Sequence, residues 1–276
     1  MPLLPVSELE KLTPIFRGKA GNILASSIRK LLSISRLSDL YDEIKSFSGP
    51  DFARVMLEKL GIEYQVIGAE KLDSLPDGPF ITVSNHPYGG IDGIILVDLI
   101  GHKRDGFKVM VNEFLNLIEP LSPTWIVVNP KNNDITGVTG NNIRGVREVL
   151  STLKAGDPVG FFPSGAVSDL KLKNMTIRDR EWQEPLIRLI QKAGVPIVPI
   201  RFFDRNSLFF YILGLINWKI RTLRLPHEIV NKGGTVIRVG IGDVISVEEQ
   251  WRHPEIKDFK EWLRNRVYGM PIPDKL

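Results

Sequence analysis

Phe80-Ile81-Thr82-Val83-Ser84-Asn85-His86-Pro87-Tyr88-Gly89-Gly90-Ile91-Asp92 is the stretch from which the fold can be read. Its first five residues form a short apolar run without alternation, the pattern of a strand buried on both faces. Gly93-Ile94-Ile95-Leu96-Val97-Asp98-Leu99-Ile100 follows and reads as a buried helix. Between them lie a proline and a glycine pair, so the unit is strand, tight loop, helix. Pro87 disfavours an α conformation at His86 and keeps it extended at the strand end. Gly89 and Gly90 permit a bend that brings Asp92 back towards His86.

A histidine and an aspartate so placed can form a general base. Neutral imidazole takes the proton, while the carboxylate fixes the tautomer and steadies the imidazolium. The same residues also admit a purely structural reading. Asp92 opens a helix and could serve only as its cap, and His86 could satisfy a backbone group in a loop.

Working outward, the chain from about residue 60 alternates strand, loop and helix. Strands are expected at 64–68, 80–85, 108–111, 125–128, 159–162, 197–202 and 235–241, and helices at 91–99, 142–153, 181–193 and 257–268. This order predicts an α/β fold with a central mixed, largely parallel sheet flanked by helices. Residues 51–276 would form that domain. Residues 1–50 would be an N-terminal helical extension in which Leu24, Ile28, Leu31, Leu32, Ile34 and Leu37 recur at helical spacing among Arg17, Lys19, Arg29, Lys30 and Arg36. That extension reads either as an amphipathic helix on anionic lipid or as a helix packed on the domain. Ligands of open α/β sheets sit beyond the carboxyl ends of strands, which puts His86, Asn129 and the loop after Phe162 on one rim.

Bulk properties narrow the partners. The chain has 276 residues and no cysteine, which excludes disulfides and thiolate metal sites. Its four histidines are widely spaced, so no metal centre is expected. A net charge of +4 suits an anionic partner such as a membrane surface, an acidic carrier protein or a phosphorylated ligand. No basic run or aromatic RNA-binding signature points to nucleic acid. No stretch reaches the roughly 18 apolar residues of a membrane span, and residues 1–8 lack the features of a secretory leader. Residues 207–218, apolar with three aromatics before a terminal Trp218, are followed by Lys219, Arg221 and Arg224, and read as an interfacial segment or a core helix.

Two further blocks recur on the same rim. Phe161-Phe162-Pro163-Ser164-Gly165-Ala166-Val167-Ser168 runs from a strand into a turn that can offer N–H groups and a hydroxyl to a ligand, or can simply end the strand. Val195-Pro196-Ile197-Val198-Pro199-Ile200 reads as a buried edge strand or as a wall for a lipid chain.

Asn-His-Pro with a following Asp, then Phe-Pro-x-Gly, then Val-Pro-Ile-Val-Pro, in this order, resembles the glycerolipid acyltransferase family, which includes lysophosphatidate acyltransferase. The likeness spans roughly residues 55–270. It implies a mixed sheet flanked by helices, a groove open to the membrane, and His86 with Asp92 as catalytic pair. Two departures stand out. Five residues separate His86 from Asp92 where four are usual. The usual Phe-Pro-Glu-Gly-Thr-Arg-Ser reads Phe162-Pro163-Ser164-Gly165-Ala166-Val167-Ser168, without the Glu and Arg that help hold an acceptor phosphate. Val127-Val128-Asn129-Pro130 likewise lacks the family's Arg. These departures resemble the haemolysin-related branch, which includes the O-acyltransferases of ornithine and glycine lipids. So do Ile177-Arg178-Asp179-Arg180-Glu181-Trp182 and Arg205-Asn206-Ser207 with Phe209-Phe210-Tyr211.

The resemblance implies a peripheral enzyme at the cytoplasmic face of the inner membrane. It would move an acyl chain from acyl-CoA or acyl-carrier protein to the hydroxyl of a monoacylated amino-acid lipid, with no bound cofactor. Candidate substrate-binding residues are Asn85, Gly89, Gly90, Asn129, Pro163, Ser164, Gly165 and Arg178, the last for the acceptor carboxylate or else in an ion pair with Asp179 or Glu181. Gly165 and its neighbours would supply oxyanion donors. The rivals are a phospholipid-pathway lysophosphatidate acyltransferase, a lipid esterase using Ser164, and a non-catalytic lipid-binding protein. Ser164 lacks the Gly-x-Ser-x-Gly elbow of the esterases, since Phe162 stands where Gly would.

Overall fold

A computed structural model describes residues 32–128 and 140–273. Asn129, Pro130 and the extension residues Arg17, Lys19, Leu24, Ile28, Arg29, Lys30 and Leu31 lie outside these. In chain order the elements are α1 (Ile34–Ile44), α2 (Gly49–Leu60), β1 (Ile62–Ile67), β2 (Ile81–Ser84), α3 (Gly90–Gly101), β3 (Lys108–Asn112) and β4 (Trp125–Val128). They continue with α4 (Gly140–Ala155), β5 (Val159–Phe161), β6 (Asp169–Lys171), β7 (Thr176–Arg178), α5 (Glu184–Ala193) and β8 (Ile197–Phe202). The last are α6 (Leu208–Ile216), α7 (Trp218–Leu223), α8 (Leu225–Val230), β9 (Thr235–Ile241), α9 (Val247–Trp251) and α10 (Ile256–Tyr268).

Seven strands form one sheet in the order β1-β9-β8-β2-β5-β3-β4, and β6 with β7 form a separate antiparallel hairpin. Every neighbouring pair in the large sheet is parallel except β8 with β9. The expected α/β class with a mixed, largely parallel sheet is therefore what the chain adopts. All seven predicted strands are in it. β2 and β5 are buried at every residue, which is why they read as unbroken apolar runs.

The 195–200 block is a correction. It does not form an edge: β8 lies between β9 and β2. Pro199 is accommodated because it faces β9 just past the end of that ladder. There its carbonyl accepts from Gly242 N–H at 2.8 Å, and the antiparallel pairing starts only at Ile200 with Ile241. The missing proline N–H thus falls where the ladder is already interrupted.

Helices cover both faces. α2 and α3 lie on one side with Phe52, Ile95, Val97 and Ile100 wholly or nearly wholly buried, and α4, α5 and α10 on the other with Val149, Ile187, Phe259 and Leu263. Apart from Asp92 and Asp98, α3 is apolar on every side, as a fully enclosed helix must be. Its Gly101 packs so closely on Pro50 of α2 that an added Cβ would come within 2.7 Å of that ring. Truncating a side chain such as Ile95 to Ala would cost about 2–5 kcal/mol. α1 buries Ile34, Leu37 and Ile44, and Ser33 hydroxyl meets His227 Nδ1 at 3.1 Å, so residues 33–44 pack on the domain. The expected boundary at residue 50 falls in the first turn of α2.

Because β2, β5 and β8 run parallel, their carboxyl ends share one rim. The loops that leave it carry His86, the Pro163–Ser168 turn and Asn206.

Candidate active site

The His86 loop is built from the backbone upward. Gly89 takes φ +86°, a conformation that strains any side chain, and a Cβ there would lie 3.1 Å from both Leu225 and Val167. That bend lets Asp92, the third residue of α3, fold its carboxylate back over the loop. Asp92 Oδ2 accepts the N–H groups of Tyr88 at 2.9 Å and Gly89 at 3.0 Å, and lies 2.9 Å from His86 Nδ1. The two readings of Asp92 are therefore one: the oxygen that caps the helix is the oxygen that faces the imidazole.

Every main-chain donor and acceptor from His86 to Gly89 has a partner. His86 N–H donates to Asp179 Oδ1 at 3.1 Å, and His86 O accepts from Ser168 N–H at 2.9 Å. Pro87 O accepts from Tyr211 hydroxyl at 2.8 Å and from Asn206 Nδ2, which also donates to Tyr88 O. Gly89 O accepts from Asp92 N–H at 3.1 Å. Burial raises the pKa of Tyr211, so its hydroxyl stays a donor. A loop satisfied at each position holds its side chains in place without reorganisation.

The imidazole rests on Phe162, with ring centroids 4.2 Å apart, and its side chain keeps 17% of its surface exposed while Asp92 has none. Among the described residues nothing bonds His86 Nε2. The Nδ1 approach is close but oblique to the oxygen, and Asp92 Oδ1 is buried without a partner. Such contacts commonly tighten only when substrate is bound. Burial pushes the Asp92 carboxyl above its usual range, opposed by the His86 ring and the two N–H donors. A carboxylate at Nδ1 fixes that nitrogen as the protonated one and leaves the Nε2 lone pair outward.

The other predicted residues take varied places. Asn85 spends its amide on β8: Nδ2 donates to Phe202 O and Oδ1 accepts from Phe202 N–H, which splices strands rather than facing a ligand. Gly90 opens α3 between Ile229 and Leu115. Pro163 O accepts from Gln183 N–H at 2.8 Å. Ser164 is 3% exposed and its hydroxyl donates to Ala166 O at 2.7 Å. Gly165 has φ +62°, and its N–H closes the turn onto Phe162 O. The N–H groups of Ala166 and Val167, which precede the Ser168 N–H bonded to His86 O, have no acceptor among the described residues. Arg178 is exposed and stacks over Tyr268 at 4.5 Å, pairing with neither Asp179 nor Glu181.

Asp179 is the residue that sequence reading passed over. Only 1% exposed, it accepts His86 N–H and Ser168 hydroxyl on Oδ1 and Trp182 Nε1–H on Oδ2. It thereby joins the His86 loop to the Ser164 turn. Asn206 and Tyr211 were likewise quoted for their pattern and not for their place. The signal was available: an Asp three residues before a Trp in a stretch otherwise polar, and an Asn after a strand end.

Comparisons with known proteins give the family. The chain is 28% identical over 255 residues to a lyso-glycine lipid O-acyltransferase of Bacteroides thetaiotaomicron, covering 90% of this chain and 89% of the relative. It is 26% identical over 271 residues to a protein of the same description from Phocaeicola vulgatus, covering 93% of each. A crystal structure of the 1-acyl-sn-glycerophosphate acyltransferase PlsC from Thermotoga maritima overlays with a TM-score of 0.49 at 16% identity, covering 97% of this chain and 93% of that one. A family profile described as acyltransferase matches residues 24–271, so the chain belongs to that family and is an acyltransferase.

Proposed function

We propose that the protein is an O-acyltransferase that acylates the hydroxyl of a monoacylated amino-acid lipid of the glycine-lipid type. The observation that carries this reading is His86, with Nδ1 against a buried carboxylate and Nε2 unpartnered at the open rim. The names of the two relatives supply the acceptor class. The missing Glu and Arg in the Phe162–Ser168 block agree with an acceptor that lacks a phosphate.

In this mechanism the acceptor hydroxyl docks on His86 Nε2, which takes its proton as the oxygen attacks the carbonyl carbon of an acyl thioester. The tetrahedral oxyanion is met by the N–H groups of Ala166 and Val167. The C–S bond then breaks, and the imidazolium returns the proton to the leaving thiolate, giving ester and free thiol. Asp92 stabilises the imidazolium throughout. The donor is acyl-CoA or acyl-carrier protein. No helix among the described residues is long and apolar enough to cross a membrane, which supports peripheral association, at the cytoplasmic face where thioester donors are available.

The test is transfer of a labelled acyl chain from each donor to lyso-glycine lipid, lyso-ornithine lipid or lysophosphatidate by purified protein, with His86→Ala as control. Product from an amino-acid lipid and none from the control is expected. Lysophosphatidate as the preferred acceptor would replace the assignment, and equal product from the control would remove His86 from the mechanism.

A further inference from the structure

Exposed apolar surface is concentrated in one place. Ten of the seventeen large hydrophobic side chains left exposed among the described residues fall on two adjoining regions: eight between Leu208 and Leu223 on α6 and α7, and two at the β6–β7 tip. α6 buries Phe210 and Tyr211 against Leu170 of β6. Leu208, Ile212, Leu215 and Ile216, three or four residues apart, stand on its other side. Ile216 is 73% exposed, and Leu172 and Met175 at the hairpin tip are 62% and 66% exposed. A contiguous patch of this extent marks an interaction surface.

Charge selects the partner. Segments 170–178 and 205–227 contain no Asp or Glu and seven Lys or Arg: Lys171, Lys173, Arg178, Arg205, Lys219, Arg221 and Arg224. The acids at their borders are all bonded within the protein. Asp169 binds Arg180 and Arg221, Asp179 binds Ser168 and Trp182, Asp204 binds Arg238, and Glu228 binds Ser207 and Arg224. Lys171, Lys173 and Arg205 have no acidic partner among the described residues. An apolar face with cations at its margin and no exposed acid matches an anionic bilayer surface.

We propose that the β6–β7 tip and the outer face of α6–α7 dock the protein on an anionic bilayer and set the His86 rim at the lipid boundary. The patch is continuous with the site. Val167, which leads into β6, and Leu225, which follows α7, are the two side chains packed on Gly89 of the His86 loop. Docked in this way, the enzyme meets its acceptor within the leaflet, with the acyl tail still in lipid and only the hydroxyl raised to Nε2. That last step rests on the acyl-transfer reading; the docking surface does not.

The test uses the full chain and co-sedimentation with phosphatidylglycerol–phosphatidylcholine vesicles against vesicles of phosphatidylcholine alone. Wild type should bind the anionic vesicles, less at high salt. Leu172→Glu/Met175→Glu/Ile212→Glu/Ile216→Glu, with Ile216→Glu alone as the milder variant, should bind at least about tenfold more weakly while keeping the wild-type circular dichroism. Transfer to vesicle-embedded acceptor should fall with binding, and transfer to a short-chain monomeric acceptor should not. Undiminished vesicle binding by the fourfold variant overturns the surface, as does a wild type that ignores anionic vesicles. Loss of binding in the variant, with a wild type that acylates neither acceptor, upholds the docking surface and removes the acyl-transfer reading instead.

Discussion

One helix carries a histidine–aspartate contact at each end. At the start of α3, His86 Nδ1 lies 2.9 Å from Asp92 Oδ2; at its end, His102 Nδ1 lies 3.0 Å from Asp98 Oδ1. The chemical groups and the distances are nearly the same, and the surroundings differ. His102 has both ring nitrogens engaged, Nδ1 also at 2.8 Å from Asp98 O and Nε2 at 3.1 Å from Asp51. Asp98 is shared with Tyr64 hydroxyl and Arg54. His86 has one nitrogen held and one free, its ring braced on Phe162 and its main chain fixed at every atom. What separates the two contacts is the second nitrogen.

The deepest cut through this comparison is His86→Ala against His102→Ala. The first should lower kcat by about a thousandfold or more, the second by no more than about threefold, in a thioester-consumption assay. Comparable losses in both would erase the distinction. Next come the carboxylates. Asp92→Asn should reduce kcat by about 10²–10⁴, whereas Asp98→Asn should leave kcat alone and cost about 1–2 kcal/mol of stability in urea titration.

The Asp92 carboxyl also carries a pH dependence. Because burial raises the Asp92 carboxyl, the folded protein holds that proton where the unfolded chain has lost it, and this group's contribution to stability falls as pH rises from 3.8, the carboxyl's ordinary value. Asn at this position does not titrate. Its stability relative to wild type should therefore improve between acidic and neutral pH, and a gap that stays flat would mean the carboxylate is not strained by burial.

A smaller effect belongs to Asp179, which acts through the His86 main chain. Asp179→Asn should lower kcat by roughly tenfold with KM little changed and the midpoint of the pH–rate profile kept, since the base is the same. A shifted midpoint would mean that Asp179 acts on the ring itself. The smallest is Ser164→Ala, expected within about twofold of wild type, because its hydroxyl is engaged by Ala166 O. Collapse of activity there, with labelling by a serine-directed probe, would move the nucleophile from substrate to enzyme.

The seven sheet strands were legible because two-sided burial demands unbroken apolar runs, as in Trp125–Val128. The β6–β7 hairpin was not: Asp169–Lys171 and Thr176–Arg178 are three residues each, of mixed polarity, and their pairing is set by packing on α6. The Val195–Ile200 block misled because proline in a strand argues for an edge, and only the partner strand's early end makes an interior place possible. At the site, the approach of Asp92 to His86 could be read from the glycine bend between them. The role of Asp179 could not, since nothing local in the sequence brings residue 179 to residue 86. Asn85 and Gly165 were chosen for proximity, and main-chain bonds absorb the groups for which they were chosen.

Asp179 also receives support from the far end of the chain. Its N–H donates to Tyr268 hydroxyl at 3.0 Å, and Arg264 donates to its carbonyl at 2.9 Å, both from α10. β1, for its part, pairs only with β9 among the described residues. Synthesis must therefore reach α10 before the His86 loop has all its support. A nascent polypeptide carries His86 and Asp92 early, but the clasp on their loop emerges well after them. Products terminated before α10 would hold His86 and lack the means to aim it.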